Sequence, residues 1–255
     1  LIIGLVHLGF TESAPGFITS YRLAQEVDGI DILVDGHSHS FIERPEHIHK
    51  TTIVTANQSG RYVGEGIIRM KKGRFVGFYW KPVLIKGFQP DSVLSLQLRP
   101  YVEVAEKDLA TVVGEATEEF SLFQDGENLA RYGETALGDL VADALKWKAG
   151  KLNLKVDFAL TNSGGIRESL PAGKITKGDV LAVLPFDNVL EVVALSGSEV
   201  RRLFDYIASI PLGNGAFAQV SREVRVVYDS GRVRTLTIAG RPIEDDKMYY
   251  MATCD

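Results

Sequence analysis

Short apolar runs separated by glycine, proline and polar clusters dominate the first third of the chain, and helical periodicity enters only at intervals. Residues 2–6 read as a strand buried on both faces of a sheet, the apolar run Ile32-Leu33-Val34 within 31–35 as a second buried strand, and 52–56 as a further strand that alternates or runs apolar. Between the first two, residues 19–28 place Leu23, Ala24 and Val27 at helical spacing, which predicts strand, helix, strand. Residues 63–70 and 75–82 alternate or run apolar on either side of Lys72-Gly73 and predict a hairpin. The segment GFQPD, residues 87–91, breaks the pattern. After it Leu94, Leu98, Tyr101, Val102 and Ala105 fall on one face of a helix over 92–108. Pro100 lies inside that helix and is expected to kink it or to begin a second segment, because proline removes a hydrogen bond and clashes with the preceding turn.

The second half alternates helix and strand more clearly. ETALGDLVADALKWKAG places Leu137, Leu140, Val141, Ala144 and Leu145 on one stripe, with Gly150 as the stop. VDFALT (156–161) and VLEVVAL (189–195) read as strands, and EVRVVYDSGRVRTLTI (223–238) as a hairpin about a glycine turn. Ser198 is placed to cap a helix whose buried face is Val200, Leu203, Phe204 and Ile207. At 255 residues, with roughly 150 per domain, two domains are expected. The pattern divides them as 1–90, a helical connector over 91–108, and 109–255, all of α/β class. LIIGLVH begins as an interior strand with no cap before it, and MYYMATCD stops as a strand would, so a piece of a longer protein is expected.

Composition narrows the function classes. Forty-five per cent of residues are hydrophobic, enough for a sizeable core, and 28 basic against 33 acidic residues give a net charge of -5. That balance argues against a nucleic-acid surface or a polybasic membrane patch, so an anionic ligand must be held by a few local arginines. No run reaches the roughly 18 apolar residues of a spanning helix. Cys254 is the one cysteine, so no internal disulfide can form.

Two segments carry candidate chemistry. In DILVDGHSHS an apolar strand ends at Gly36, and His37 and His39 follow at the carboxyl end, where open α/β sheets place their sites. Neutral imidazoles there suit zinc, manganese or cobalt, and equally a surface turn with two solvated histidines. In LTNSGGIRESLPAG, the pair Gly164-Gly165 leaves room for a ligand to reach the backbone, with Asn162 and Arg167 beside it. A guanidinium grips a planar, oxygen-rich anion in two places, although a plain turn fits the same residues. VLPFDN, residues 183–188, is expected to end a strand and expose Phe186, whose ring can stack on a base or pack at a rim. His47 and His49 read as surface loop, Asp139 and Asp143 as solvated, Glu118-Glu119 as a short acidic step, and Arg201-Arg202 as surface charge.

In order, the segments GLVHLG, DILVDGHSH, SGRYVGEGII, PYVE, ARYGETALGDLVADAL, LTNSGGIRESLPAGKIT and GDVLAVLPFDNVLEVVALSGSEVRRLFD resemble the 5'-nucleotidase family, the UshA-type two-domain metallophosphoesterases. The resemblance covers nearly the whole chain. It implies the carboxyl-terminal part of a calcineurin-like metallophosphoesterase sandwich, joined by the helical connector to a 5'-nucleotidase carboxyl-terminal α/β domain that binds the nucleotide. Two divalent metal ions (zinc, manganese, cobalt or similar) are implied for the complete protein, with His7, His37 and His39 as part of their shell. On the nucleotide side the resemblance implies Arg131, Asn162, Gly164, Arg167 and Phe186. Ser163 stands where relatives often have glycine, and Asp187 follows the phenylalanine where glycine is common.

The implied reaction is removal of the 5'-phosphate from nucleotides. Relatives with 2',3'-cyclic nucleotide phosphodiesterase, UDP-sugar, NAD or thiosulfohydrolase activity are the alternatives, and from another class a non-catalytic nucleotide-binding fragment. The family's opening segment, with its D-x-H, GD and GNHE or GNHD motifs, its bridging carboxylate and its catalytic histidine, has no counterpart ahead of GLVHLG. A second stacking aromatic and an acidic residue are expected beyond Asp255. An exported, periplasmic or cell-surface location is implied by the resemblance alone.

Overall fold

The computed structural model describes residues 1–10 and 17–255. The chain divides into two units, Leu1–Ser95 and Leu96–Asp255.

In the first unit, β1 (Ile3–Leu5), α1 (Ser20–Glu26), β2 (Ile32–Val34), β3 (Glu46–Ile48) and β4 (Thr51–Val54) build a sheet in the order β1-β2-β4-β3. β1, β2 and β4 run parallel, with Gly4 opposite Leu33 and Leu33 opposite Ile53. A parallel pair needs a crossover, which α1 supplies. The helix starts at Thr19, whose side chain accepts from the Arg22 amide. Leu33 and Ile53 are fully buried against Ala24 of α1, with Val6, Phe10 and Leu23 packed around them.

The first strand departs from expectation. Residues 2–6 read as buried on both faces, yet Ile3 and Leu5 are 49% and 86% exposed. Among the described residues β1 is the edge strand of the sheet, bonded on one side to β2. His47 also lies in a strand and not a loop: it sits opposite Thr52 in the β3–β4 register, with Nδ1 3.1 Å from the Thr52 hydroxyl. His47 and His49 are exposed, as expected.

β5 (Tyr62–Lys71) and β6 (Arg74–Leu84) form the expected hairpin. Lys72 and Gly73 both have positive φ, 50° and 74°, the backbone of a turn whose twist matches the strands. Gly64 makes room for Trp80, since a Cβ there would lie 1.9 Å from the indole. The Trp80 Nε1 in turn donates to the Ile42 carbonyl at 3.0 Å, tying the hairpin to the rest of the unit.

α2 (Ser92–Leu109) runs through Pro100 without interruption, so no second segment begins there. Proline removes one backbone donor, and the turns on either side keep theirs. Its expected buried face is not buried: Leu94, Leu98, Tyr101 and Val102 are all exposed. Local bonding supports this helix instead, including the Arg99–Glu103 pair one turn apart at 2.8 Å.

The second unit runs β7 (Val112–Ala116), the short β8 (Phe123–Gln124) and β9 (Glu127–Asn128), α3 (Ala136–Lys151), β10 (Phe158–Asn162), β11 (Gly173–Thr176), α4 (Lys177–Val183), β12 (Leu190–Ser196), α5 (Gly197–Ser209), β13 (Ala218–Val220), β14 (Val224–Asp229), β15 (Arg232–Ile238), β16 (Arg241–Pro242) and β17 (Met248–Cys254). Its central sheet has the order β12-β17-β10-β13, with β10 parallel to β17. Successive side chains of a strand point to opposite faces. Phe158 therefore joins Phe204 and Ile207 of α5 and Leu236 and Ile238 of β15, while Ala159 joins Ala149 of α3 and Ala252 of β17.

Three local expectations are corrected in this unit. Ser196, not Ser198, caps α5: its hydroxyl accepts from the Glu199 amide, and the Glu199 carboxylate accepts from the Ser196 amide, a reciprocal box that also lowers the Glu199 pKa through the Ser196 backbone bond. Phe186 follows a helix and not a strand, because Thr176 and Asp179 form a second such box that starts α4. The buried face of α3 is rotated from the expected stripe. Leu137, Gly138, Val141, Ala142 and Ala149 are buried, whereas Leu140 and Ala144 are exposed. Small residues on that face let the helix approach the sheet closely.

Asp139 and Asp143 are not simply solvated. Asp143 bonds Arg222 at 2.6 Å, and although burial alone would raise it, the hydrogen bonds from Arg222 lower its pKa. Burial, then the charges of Glu134 and Asp143, raise the Asp139 carboxyl to about 6. A carboxyl whose folded pKa lies above its unfolded value keeps its proton longer in the folded state. Its contribution to stability is therefore lost as pH rises from about 4 to about 6, and stays lost above. Asp139→Asn is expected to melt above the parent at pH 7.5 and together with it at pH 3.5, as a thermal-melt series across pH will show.

Candidate functional site

The parallel pairing of β1 and β2 brings two loops together at the carboxyl ends of these strands. Val6 donates to the Val34 carbonyl at 2.9 Å, which sets His7 beside Gly36 and His37. The His7 and His37 rings meet edge to face, 5.2 Å between centroids. Two glycines make this possible reciprocally. A Cβ on Gly36 would lie 2.9 Å from His7 Nδ1, and one on Gly9 would lie 3.2 Å from His37 Cδ2. His37 and His39 both hold left-handed backbone, φ 69° and 55°, which costs a residue with a side chain about 1–2 kcal/mol each.

Asp35, which is not among the candidate residues named from the sequence, holds the turn in place. The residue is 8% exposed, and its Oδ1 accepts from the amides of Leu8 (2.9 Å), Gly9 (3.3 Å) and Gly36 (2.7 Å). The signal was present in the sequence as an aspartate at the strand's end just before the glycine. Its other oxygen, Oδ2, is buried without a hydrogen-bond partner, and Asp35 lines a cavity of about 430 Å³ with Val34, Asn57, Tyr62 and Trp80. Ser38 completes the clasp, its hydroxyl accepting from the Phe10 amide at 3.0 Å.

His7 and His37 are exposed and His39 is half-buried. Two adjacent exposed imidazoles fit a borderline dication as part of a shell. Among the described residues, no group of three or more His, Cys, Asp or Glu side chains is placed to hold an ion.

The second set of residues lies in the second unit, at the end of β10. Asn162 leads into a single turn, Ser163–Gly165, and the turn over residues 211–217 packs against it. The Gly164 amide donates to the Gly215 carbonyl at 2.7 Å, and Asn162 Nδ2 reaches the same oxygen at 3.3 Å. Backbone meets backbone here. A Cβ on Gly164 would be 3.0 Å from that oxygen, and one on Gly215 would be 3.1 Å from the Gly164 Cα.

Arg131 ends a short turn, Leu129–Arg131, capped by Asn128. It is half-buried, and its Nε has no hydrogen-bond partner. Burial and then the charge of Arg167 lower its pKa. Two guanidiniums close enough to oppose each other's charge, one with a stranded donor, suit an anion with several oxygens. Arg167 Nη1 donates to the Gly164 carbonyl at 3.1 Å, and its guanidinium carbon lies 5.7 Å from the centre of the Phe186 ring. Phe186 is 52% exposed and lines a largely apolar cavity of about 340 Å³ with Val141, Leu145, Leu184, Leu190 and Cys254. Arg131, Asn162, Gly164, Arg167 and Phe186 thus share one neighbourhood.

Gln219, also unforeseen, fixes Arg131 from below. The side chain is 1% exposed; its Nε2 donates to the carbonyls of Ala130 and Gly133, both at 2.8 Å, and its Oε1 accepts from the Thr135 amide at 3.2 Å. A glutamine inside a short strand carries no sequence signal that separates this pin from a solvent-facing residue.

Residues 112–255 match the family model described as 5'-nucleotidase, C-terminal domain. The chain belongs to this family. Among its relatives, a 5'-nucleotidase of Vibrio vulnificus (strain CMCP6) is 29% identical over 290 residues, covering 98% of this chain and 51% of that protein. Protein UshA of Escherichia coli (strain K12) is 26% identical, covering 99% and 52%. The crystal structure of a 5'-nucleotidase precursor from Thermus thermophilus superposes with a TM-score of 0.65 at 25% identity, covering 92% of this chain and 51% of that one. The α/β fold is that of the 5'-nucleotidases, and the chain spans about half the length of the curated relatives it matches. Among the described residues, no helix is long and apolar enough to cross a membrane.

Proposed function

We propose that this chain is the nucleotide-holding portion of a metal-dependent hydrolase that takes the 5'-phosphate from nucleotides, leaving nucleoside and phosphate, with the exported or surface location its family resemblance implies. The observation that carries the reading is the buried, partnerless Arg131 Nε beside Arg167, at a turn where the Gly164 and Gly215 backbones pack directly against each other. Arg131 and Arg167 take the charged oxygens, Phe186 offers a flat face for the base, and Asn162 and Gly164 shape the floor. His7, His37 and His39 would contribute imidazole nitrogens to two divalent ions, which when bound polarise phosphoryl oxygens and lower the pKa of water. Neutral imidazoles bring no charge to balance two dications. With no three-donor group among the described residues, the chain alone is expected to bind nucleotide while taking up metal weakly.

Phosphate release from AMP in the presence of manganese tests this, and slow or no turnover is expected. Turnover at a full enzymatic rate would overturn the claim that the chain's own metal shell is incomplete. A panel of AMP, a 2',3'-cyclic nucleotide, a UDP-sugar and NAD, read by equilibrium dialysis, then separates the substrates. AMP is expected to be retained best.

A further inference from the structure

We propose that Asn214 is a further residue of the nucleotide site, its side-chain amide donating to the same oxygen-rich group that Arg131 and Arg167 hold. The inference rests on the nucleotide reading above and extends it to a residue outside the glycine-rich TNSGGIR segment.

Asn214 sits in the turn between α5 and β13. Its Oδ1 accepts from the Ala216 amide at 2.7 Å, closing a local turn of the kind asparagine side chains make with the backbone two residues on. Because an amide N–H needs an oxygen, that bond fixes which end of the side chain is which and leaves the NH2 group over. Nδ2 is buried and has no hydrogen-bond partner.

The turn is bonded to both segments of the site. The Gly213 amide donates to the Arg131 carbonyl at 3.0 Å, and the Ser163 hydroxyl donates toward the carbonyls of Asn214 (3.5 Å) and Gly215 (3.3 Å). A Cβ on Gly215 would lie 3.7 Å from Arg131 Cζ, so the guanidinium rests on this turn. The turn is also held from outside. Gly213, at φ 88°, leaves just enough space for the Tyr132 hydroxyl, which donates to Glu127 at 2.6 Å.

Two buried donors on bonded, neighbouring segments are therefore without acceptors, Arg131 Nε and Asn214 Nδ2. Stranded donors of this kind are few in folded proteins and cost about 1–3 kcal/mol each. A group that is all acceptor answers both at once, and the two arginine charges select an anion. The phosphate of a nucleotide has that chemistry, whereas a ribose hydroxyl or a base edge brings donors of its own or no charge to meet the two arginines.

The test is calorimetric titration of AMP and of adenosine into the chain and its Asn214→Asp and Asn214→Ser variants. Aspartate keeps the oxygen that accepts from Ala216 and replaces the donor with a negative oxygen. It is expected to weaken AMP binding about tenfold or more while leaving adenosine binding unchanged and the melting temperature no lower than the parent's. Serine keeps a short acceptor without the NH2 group, and a loss of about fivefold for AMP alone is expected. It carries the test where the aspartate variant fails to fold. Equal AMP affinity in parent and variant overturns the assignment of Asn214 while leaving the nucleotide reading intact. Equal losses for AMP and adenosine would show a merely structural turn and also overturn it. A parent chain that binds no AMP removes the nucleotide reading itself, and this inference with it.

Discussion

Gln219→Ala is expected to cost the second unit on the order of 3 kcal/mol. The variant strands the carbonyls of Ala130 and Gly133 and the amide of Thr135, which the glutamine serves in a site with 1% exposure. It also opens a void where the side chain lay. At roughly 2–4 °C per kcal/mol for a unit of this size, melting should fall by about 6–12 °C. The functional effect is separate. Both carbonyls flank Arg131, so its turn loses the support that aims the guanidinium, and AMP binding should weaken at temperatures where the variant is still folded. A melt alongside a titration measures both. A variant that melts with the parent would show that water satisfies these groups and that Gln219 positions nothing.

Gly138→Ala should strike the same pin from the helix side. A Cβ there would lie 2.0 Å from Gln219 Oε1 and 2.5 Å from its Cδ. Gly138 is buried in the first turn of α3, and its amide donates to Thr135 Oγ1 at 3.0 Å, so the helix start cannot back away without losing its cap. In a helix exposed to water the change would be favourable by up to about 1 kcal/mol. Here a loss comparable to that of Gln219→Ala is expected. The two substitutions should be strongly non-additive, because removing the glutamine empties the space the new methyl needs. The double variant is expected to be little worse than Gln219→Ala alone. Additive losses would mean that Gly138 is required for some contact other than Gln219.

These pins mark the limit of what patterning conveys. The strands that lead to His37 and Asn162, the Lys72-Gly73 hairpin and the α5 face of Val200, Phe204 and Ile207 follow from short-range periodicity, and each forms. Where burial depends on a neighbour far along the chain, periodicity misleads. β1 reads as interior but lies at a sheet edge, and α2 reads as one-sided but stays exposed. The buried face of α3 turned because Gly138, Ala142 and Ala149 carry too little hydrophobicity to weigh in a pattern, yet allow the closest approach. The capping boxes have a local signature, T-K-G-D before α4 and S-G-S-E before α5. The charged and aromatic residues of the candidate site could be named from motifs. Asp35 carries a local signal, an aspartate at the strand's end just before a glycine, whereas Asn214 and Gln219 carry none, since their importance lies in which distant backbone groups they meet.

In the proposed function the second unit grips a nucleotide through Arg131 and Arg167. Titrating AMP into the 255-residue chain and into its Arg131→Met, Arg167→Met double variant tests it most directly. Methionine keeps much of the side-chain volume and relieves the repulsion between the two charges, so the variant should melt no lower than the parent. AMP binding by the parent and a loss of about a hundredfold or more in the variant are expected. AMP binding of equal strength in both would contradict that reading.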